Sequence, residues 1–278
     1  MSTSKIRYRL AVDEALCSGA RVVLADNAAH YLTQVLRLKM GDAIALFNRV
    51  DGEWRASIQE IRKKEVVLSV EAQLRAPMTP LGLTVCFAPI KGGRMETIIE
   101  KVTELGASVL QPVITSRTIV DKVNLARAEA IAREAAEQCE RVDWPAIKQP
   151  VKLAALLGSW PKDVPLVYGD ESGESDSIAL LEGGLAPYAL LTPAASGSPW
   201  KATHGSQRPI AWGVLAGPEG GFTPEEFVAL KHLKAAVGVG LGPRILRADT
   251  AVITLCVATL QRWGDWAERP RFISHGEI

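Results

Sequence analysis

Two glycine-rich segments carry the residues best suited to chemistry. The first reads Ala216-Gly217-Pro218-Glu219-Gly220-Gly221-Phe222 and runs straight into Thr223-Pro224-Glu225-Glu226. Thr as N-cap, Pro at the first helical position and Glu at the third form a capping box, so the glycines sit between a strand and a helix. Glycines there let a ligand come close to the backbone, although a tight structural turn uses the same residues. No Lys-Ser/Thr follows and the spacing is not G-x-G-x-x-G, which excludes a Walker loop and a dinucleotide fingerprint. Glu219 is the turn's one charged side chain; it repels a triphosphate and suits a neutral or cationic ligand. The second segment, from Gly238 through Leu241, Gly242, Pro243, Arg244, Ile245, Leu246 and Arg247 to Asp249, ends an apolar strand in Gly-Pro. It then presents two arginines and enters a helix of small residues. An ordinary turn with solvated arginines is the competing reading, but two such strand ends in one parallel sheet are where ligands bind in open α/β folds.

Other chemistries find no residues to stand on. His30, His204, His232 and His275 show neither metal-ligand spacing nor a hydrolase pattern, and neither G-x-S-x-G nor H-E-x-x-H occurs. Cys17, Cys86, Cys139 and Cys256 lie far apart without C-x-x-C spacing, so no metal is expected and thiols in a reducing compartment are. The first residues carry charges but no apolar h-region, and the longest uncharged stretch, 183–200, is broken by prolines and glycines. A cytoplasmic protein with no membrane span is the expectation. Charge is balanced, 32 basic against 31 acidic side chains, although the first 75 residues lean basic. Nucleic acid is not excluded, because phosphate affinity needs a local patch and not a basic total.

These segments must be positioned by two kinds of architecture. Residues 20–26, 42–48, 53–62 and 65–72 read as short strands rich in Val and Ile, with one helix over 28–38 between the first two. Strands this short and close suggest a small barrel, followed by a proline-containing linker at 75–80. From Leu81 the rhythm becomes strand, helix, strand: strands at 83–89, 109–114, 165–168, 210–216 and 236–241, and helices at 95–105, 124–139, from Thr223, and 248–266. Gly106 stands where a helix C-terminal glycine belongs, and Asn124 where a cap does. The alternation implies a mostly parallel sheet covered on both faces. Residues 183–208, rich in Gly, Pro and Ser, read as a long loop or insertion.

Taken in order, HYLTQVLRLKMGDAIALF, KGGRMETIIEKVTELGASVLQPVITSRT, EQCERVDWPAI, LAGPEGGFTPEEF and VGLGPRILRADTAVI resemble the 16S ribosomal RNA uridine N3-methyltransferase family of the SPOUT class. Asp249 stands where that family usually has Glu, Glu140 replaces a common glycine, Asp143 replaces a frequent basic or polar residue, and the 183–208 segment is longer than typical. The resemblance implies an α/β fold: a PUA-like RNA-binding barrel over 1–75, then a SPOUT domain over 81–278 whose end is threaded as a trefoil knot. Neither composition nor periodicity suggests a knot.

The resemblance also implies S-adenosylmethionine as methyl donor, held by Gly217, Pro218, Glu219, Gly220, Leu241, Gly242, Ile245 and Leu246, with Tyr168 and Gly169 as further candidates. Uracil N3 carries a proton and is a poor nucleophile, so its anion must be stabilised. Arg247 is the candidate for that, with Glu104 or Asp249 accepting the proton, although either acid serves equally well as a helix cap or ion pair. Arg7, Arg9, Arg37 and Arg94 are expected on the backbone of 16S ribosomal RNA or the small ribosomal subunit. The apolar helix 250–261 and the tryptophans after it fit a homodimer. A SPOUT enzyme acting on another RNA, such as transfer RNA ribose, and a non-catalytic RNA-binding or assembly protein of the same fold are the alternatives.

Overall fold

The structure, a computed structural model, describes residues 6–178, 211–266 and 268. The 183–208 segment singled out above lies outside the described residues. The chain divides into two compact units, one holding Met1–Thr79 with Arg133–Trp144, the other Pro80–Ala132 with Pro145–Arg269.

The first unit is built on β1 (Arg9–Ala11), β2 (Arg21–Ala25), β3 (Ala43–Asn48), β4 (Gly52–Ile61) and β5 (Glu65–Arg75). They form one sheet in the order β1-β3-β4-β5-β2. Every pair is antiparallel except β1 with β3. Three register shifts between β4 and β5 supply the local kinks by which such a sheet curls into a half-barrel. One core cluster joins Leu24, Ile44, Leu46, Ile58 and Leu68 of the sheet with Leu32 of the helical segment. β1 was not legible in the sequence, because three residues among charges show no alternation to read. The single helix expected over 28–38 is instead α1 (Asp26–His30), continued by a π-helical turn over Tyr31–Val35. There the Leu36 N–H reaches back five residues to the Tyr31 carbonyl. Arg37 then takes a left-handed backbone, φ 57°, which ends the helix.

The second unit alternates strand and helix: β6 (Leu83–Phe87), α2 (Arg94–Glu104), β7 (Val109–Ile114), α3 (Leu125–Gln138), β8 (Ala146–Ile147), β9 (Val151–Lys152), α4 (Leu153–Ser159), β10 (Leu166–Gly169), β11 (Trp212–Ala216), α5 (Pro224–His232), β12 (Ala236–Val239) and α6 (Ala248–Trp263). The residues of α3 from Arg133 onward group with the first unit. The sheet runs β12-β10-β11-β6-β7-β8 with β9 added beside β7, and every pairing in it is parallel. Both faces are covered. Trp212 on β11 meets Trp263 of α6 edge to face at 6.0 Å. Leu215, an odd number of residues along and so on the other face, packs with Leu153, Leu156 and Leu230 of α4 and α5. The expected helix ends are present: Gly106 follows α2 at φ +90°, the Asn124 side chain accepts the Arg127 N–H at 3.1 Å, and the Thr223–Glu226 capping box is complete.

Candidate active site

The strands β12, β10, β11 and β6 are consecutive neighbours and parallel, so the loops that leave their carboxyl ends lie side by side along one edge. The two glycine-rich segments are the loops after β11 and β12, and Tyr168 and Gly169 close β10 between them. The structure therefore brings together at one sheet edge the residues that the sequence assigned to a cofactor.

The turn after β11 is held from both sides. Its Gly221 N–H donates to the Pro218 carbonyl at 2.9 Å. Arg117, in the loop after β7, donates through Nη1 to the carbonyls of Gly220 at 2.7 Å and Phe222 at 3.2 Å. Glu171, in the loop after β10, accepts the Phe222 N–H at 2.9 Å. The N–H groups of Gly217, Glu219 and Gly220 donate to no described residue. Three donors thus remain beside the claimed carbonyls of Pro218, Gly220 and Phe222, an arrangement suited to an acceptor-bearing ligand. Glu219 itself is exposed and faces Arg94 of α2 at 3.9 Å.

The glycines have internal reasons. A Cβ at Gly217 would lie 3.2 Å from the Phe222 ring, and one at Gly220 would lie 3.4 Å from the Arg117 side chain. Gly221 is left-handed at φ +67°, and a Cβ there would collide with the Glu171 carboxylate. The tight-turn reading of these glycines thus has a packing basis of its own at Gly217 and Gly221, beside the ligand reading.

The loop after β12 is different in kind. Nothing lies within 4 Å of where a Cβ on Gly242 would be, and Ile245 is 98% exposed. Leu241 and Leu246 are half-buried. Open space beside exposed apolar side chains is what an apolar ligand surface would fill. Gly169 faces Leu241 and Leu255 at ordinary contact distance. The Tyr168 ring, by contrast, is buried against Phe227, so its side chain serves the core. Next to it Asp170 is buried at the end of β10, accepting the Ser172 N–H at 2.8 Å and the Ser175 hydroxyl. Burial alone would raise its carboxyl, but the hydrogen bonds from Ser172 and Ser175 and the nearby Lys231 outweigh that and hold it below the usual aspartate value.

Of the candidate catalytic groups, Arg247 is exposed at the N-cap of α6 and Asp249 lies in that helix's first turn, accepting the Thr250 N–H at 3.0 Å. Glu104 is a correction. It ends α2, whose 11 residues carry it about 16 Å back toward the amino ends of the strands. There it pairs with Lys101 at 2.9 Å. It stands at the far edge of its own unit from the two glycine loops.

Arg9 is the second correction. Rather than waiting for phosphate, its side chain is 12% exposed and closes on Glu53. It also donates to the carbonyls of Ala136, Glu137 and Arg141 and lies 4.4 Å over the Phe47 ring. Arg7 and Arg37 are exposed, and neither pairs with a described residue. Arg117 and Glu171 are the site residues the sequence reading missed. The only signal was their position just after β7 and β10, at the carboxyl edge.

No cluster of three or more metal-ligating side chains occurs among the described residues, and no helix among them is long and apolar enough to cross a membrane. Residues 77–260 match the RNA methyltransferase domain family, and residues 24–71 match the RNA methyltransferase PUA domain. The chain is 30% identical over 261 residues to ribosomal RNA small subunit methyltransferase E of Rickettsia conorii, covering 94% of this chain and 97% of that one. The Synechocystis enzyme of the same name is 34% identical over 254 residues, covering 90% and 76%. Among solved structures, the Neisseria gonorrhoeae ribosomal RNA small subunit methyltransferase E bound to S-adenosyl methionine superposes with a TM-score of 0.75 at 25% identity, covering 93% of this chain and 99% of that one. A Legionella pneumophila methyltransferase with bound cofactor SAM also gives 0.75, at 26% identity and 92% and 98% coverage. A half-barrel sheet, a parallel sheet with its glycine loops on one edge, and kinship along nearly the whole chain converge on one conclusion: the chain belongs to the ribosomal RNA small subunit methyltransferase E family, an RNA methyltransferase domain preceded by a PUA domain.

Proposed function

We propose that the protein transfers a methyl group from S-adenosylmethionine to N3 of a uridine in 16S ribosomal RNA. The observation that carries this reading is the alignment of two glycine loops and the β10 terminus along one edge of the parallel sheet, in a chain of this family. The residues fit the cofactor. The N–H groups of Gly217, Glu219 and Gly220, unpartnered among the described residues, suit its hydrogen-bond acceptors, Leu241, Ile245 and Leu246 suit its apolar surface, and Glu219 tolerates a sulfonium charge. When bound, S-adenosylmethionine supplies an electrophilic methyl group.

The chain's own part in the reaction concerns the uracil. Its N3 proton must leave before the nitrogen can attack, and the negative charge then spreads onto the two carbonyl oxygens. Arg247, exposed at the start of α6, is positioned to donate to such an oxygen, and its fixed charge favours the anion. Asp249, two residues on in the first turn of the same helix, is the remaining candidate to accept the proton. In the first unit Arg7 and Arg37, and in the second Arg94, are the arginines offered to RNA phosphates.

Small ribosomal subunits in the cytoplasm are the proposed setting, with the protein acting as a homodimer. The apolar side chains of Ile253 and Val257 on α6, half-buried on the flank away from Leu255 and Trp263, support the dimer. The test is mass spectrometry of nucleosides from 16S ribosomal RNA of a deletion strain. Loss of N3-methyluridine, restored by the gene, is the expected result. Retention of that nucleoside, or loss of a different methylated one, overturns the assignment.

A further inference from the structure

The glycine turn after β11 carries three N–H donors with no partner among the described residues, but a turn of this composition has no stiffness of its own. Glycine's wide conformational range would let those donors scatter, and each conformation lost on binding would weaken affinity. Something must fix the backbone before the ligand arrives. Two side chains from other strand ends do so, one from β10 beside β11 and one from β7 beyond β6, and they work on opposite polar groups. Arg117 takes carbonyls, those of Gly220 at 2.7 Å and Phe222 at 3.2 Å. Glu171 takes an N–H, that of Phe222 at 2.9 Å.

We infer that Arg117 and Glu171 are positioning residues that hold the 217–222 turn in its binding shape, with its remaining N–H groups free for a cofactor. The inference rests on the reading of this turn as the S-adenosylmethionine site. The fit of the glycines supports it independently. A Cβ at Gly220 would touch the Arg117 stem at 3.4 Å, and one at the left-handed Gly221 would collide with the Glu171 carboxylate, so both side chains lie packed against the turn. A second fastening ties Arg117's own loop to the helix after the turn. Glu226 accepts the Ser116 N–H at 2.7 Å through one oxygen and the Thr223 N–H at 2.9 Å through the other. The segment carrying Arg117 is itself closed by Thr118, whose hydroxyl accepts the Thr115 N–H at 2.9 Å. The brace therefore runs from β7 to the turn and to α5, with β10 gripping the other side.

The roles of the two residues differ in a way that can be measured. Arg117 supplies two hydrogen bonds from one nitrogen, so Arg117→Lys keeps the charge and a donor, while Arg117→Ala keeps neither. Glu171 needs only an acceptor, so Glu171→Gln keeps the contact and Glu171→Ala removes it.

The experiment is calorimetry with S-adenosylmethionine on the full chain, accompanied by unliganded melting curves and amide exchange at Gly221 and Phe222. Arg117→Ala and Glu171→Ala are expected to weaken binding at least tenfold, with unliganded melting nearly unchanged and faster exchange at Phe222. Arg117→Lys and Glu171→Gln are expected to recover most of the affinity, which a general loss of stability would not produce. If the unsubstituted protein binds and both alanine variants bind within twofold of it, the positioning role is overturned while the cofactor site stands. If the unsubstituted protein binds nothing at millimolar ligand, the cofactor reading itself fails and this inference falls with it. Should Arg117→Ala fail to fold, Glu171→Ala against Glu171→Gln decides the matter alone.

Discussion

Arg9 and Glu53 close on each other inside the first unit, Nε to Oε1 at 2.5 Å, with the Glu53 side chain wholly buried and its other oxygen taken by Arg75. One carboxylate thus joins β1, β4 and the end of β5. The remaining nitrogens of Arg9 satisfy the carbonyls of Ala136, Glu137 and Arg141, which end α3 and begin the segment after it. A charge so enclosed belongs to the fold and not to a ligand.

Arg9→Ala is therefore expected to unfold the first unit more readily instead of weakening RNA contacts locally. Glu53 keeps Arg75 as a partner when Arg9 is removed, so the loss is that of the charged hydrogen bonds Arg9 makes, about 1–3 kcal/mol and below the cost of stranding a buried charge. Denaturant unfolding followed by Trp54 and Trp144 fluorescence should show an early transition, absent in Arg7→Ala. In Arg7→Ala stability should hold, RNA affinity should fall, and the salt dependence should flatten by about one counterion. A stable Arg9→Ala with reduced RNA affinity would return Arg9 to the RNA surface.

The two arginines show where sequence reading stops. Arg7 and Arg9 are both cations in a charged segment, and nothing local separates the exposed one from the buried one. The separation comes from Glu53, 44 positions away, and from carbonyls more than 120 away. The same limit hid Arg117 and Glu171. What was legible was local or periodic: the glycine turns, the capping box at Thr223, and the alternation that gives a parallel sheet. Glu104 illustrates the middle ground. Its helix was visible, but only the strand order tells which edge of the sheet that helix ends on.

Asp170 should make stability pH-dependent in a defined direction. Its folded-state carboxyl is held low, since the hydrogen bonds from Ser172 and Ser175 and the charge of Lys231 outweigh the effect of burial. The stabilisation is fully present above about pH 4, where an unfolded aspartate is ionised. It is lost as pH falls through the lower folded value. Asp170→Asn should cost about 1–3 kcal/mol at neutral pH and progressively less below pH 4. Melting temperatures of both proteins across that range give the comparison. A gap that stays constant with pH would contradict this account of Asp170.

Thiol reactivity should follow burial. Cys86 and Cys256 are wholly enclosed, and burial pushes both thiols far up, so thiolate is scarce at neutral pH. Cys17 is exposed and Cys139 partly so. Ellman's reagent should modify Cys17 first, Cys139 more slowly, and the other two only in denaturant. Rapid modification of all four thiols in the native protein would show that the second unit's core opens.

The proposed dimer makes a final demand on α6. One flank of that helix, with Val252, Leu255, Cys256, Leu260 and Trp263, is fully committed to its own sheet. Ile253 and Val257, one turn apart on another flank, are apolar but only half-buried, while Thr250 and Gln261 at its ends are exposed. A helix whose second apolar stripe is only partly covered by its own unit is suited to a partner, and a two-fold axis would set that stripe against its own copy. Val257→Lys would then place two ammonium groups face to face in the interface, while in a monomer the long side chain could reach water along the half-exposed flank. The expected result is a chain that keeps its near-ultraviolet circular dichroism but changes mass in light scattering from twice 30.0 kDa to one 30.0 kDa chain. A monomeric unsubstituted protein at micromolar concentration would end the dimer proposal outright. A Val257→Lys protein that stays dimeric would move the interface off this helix.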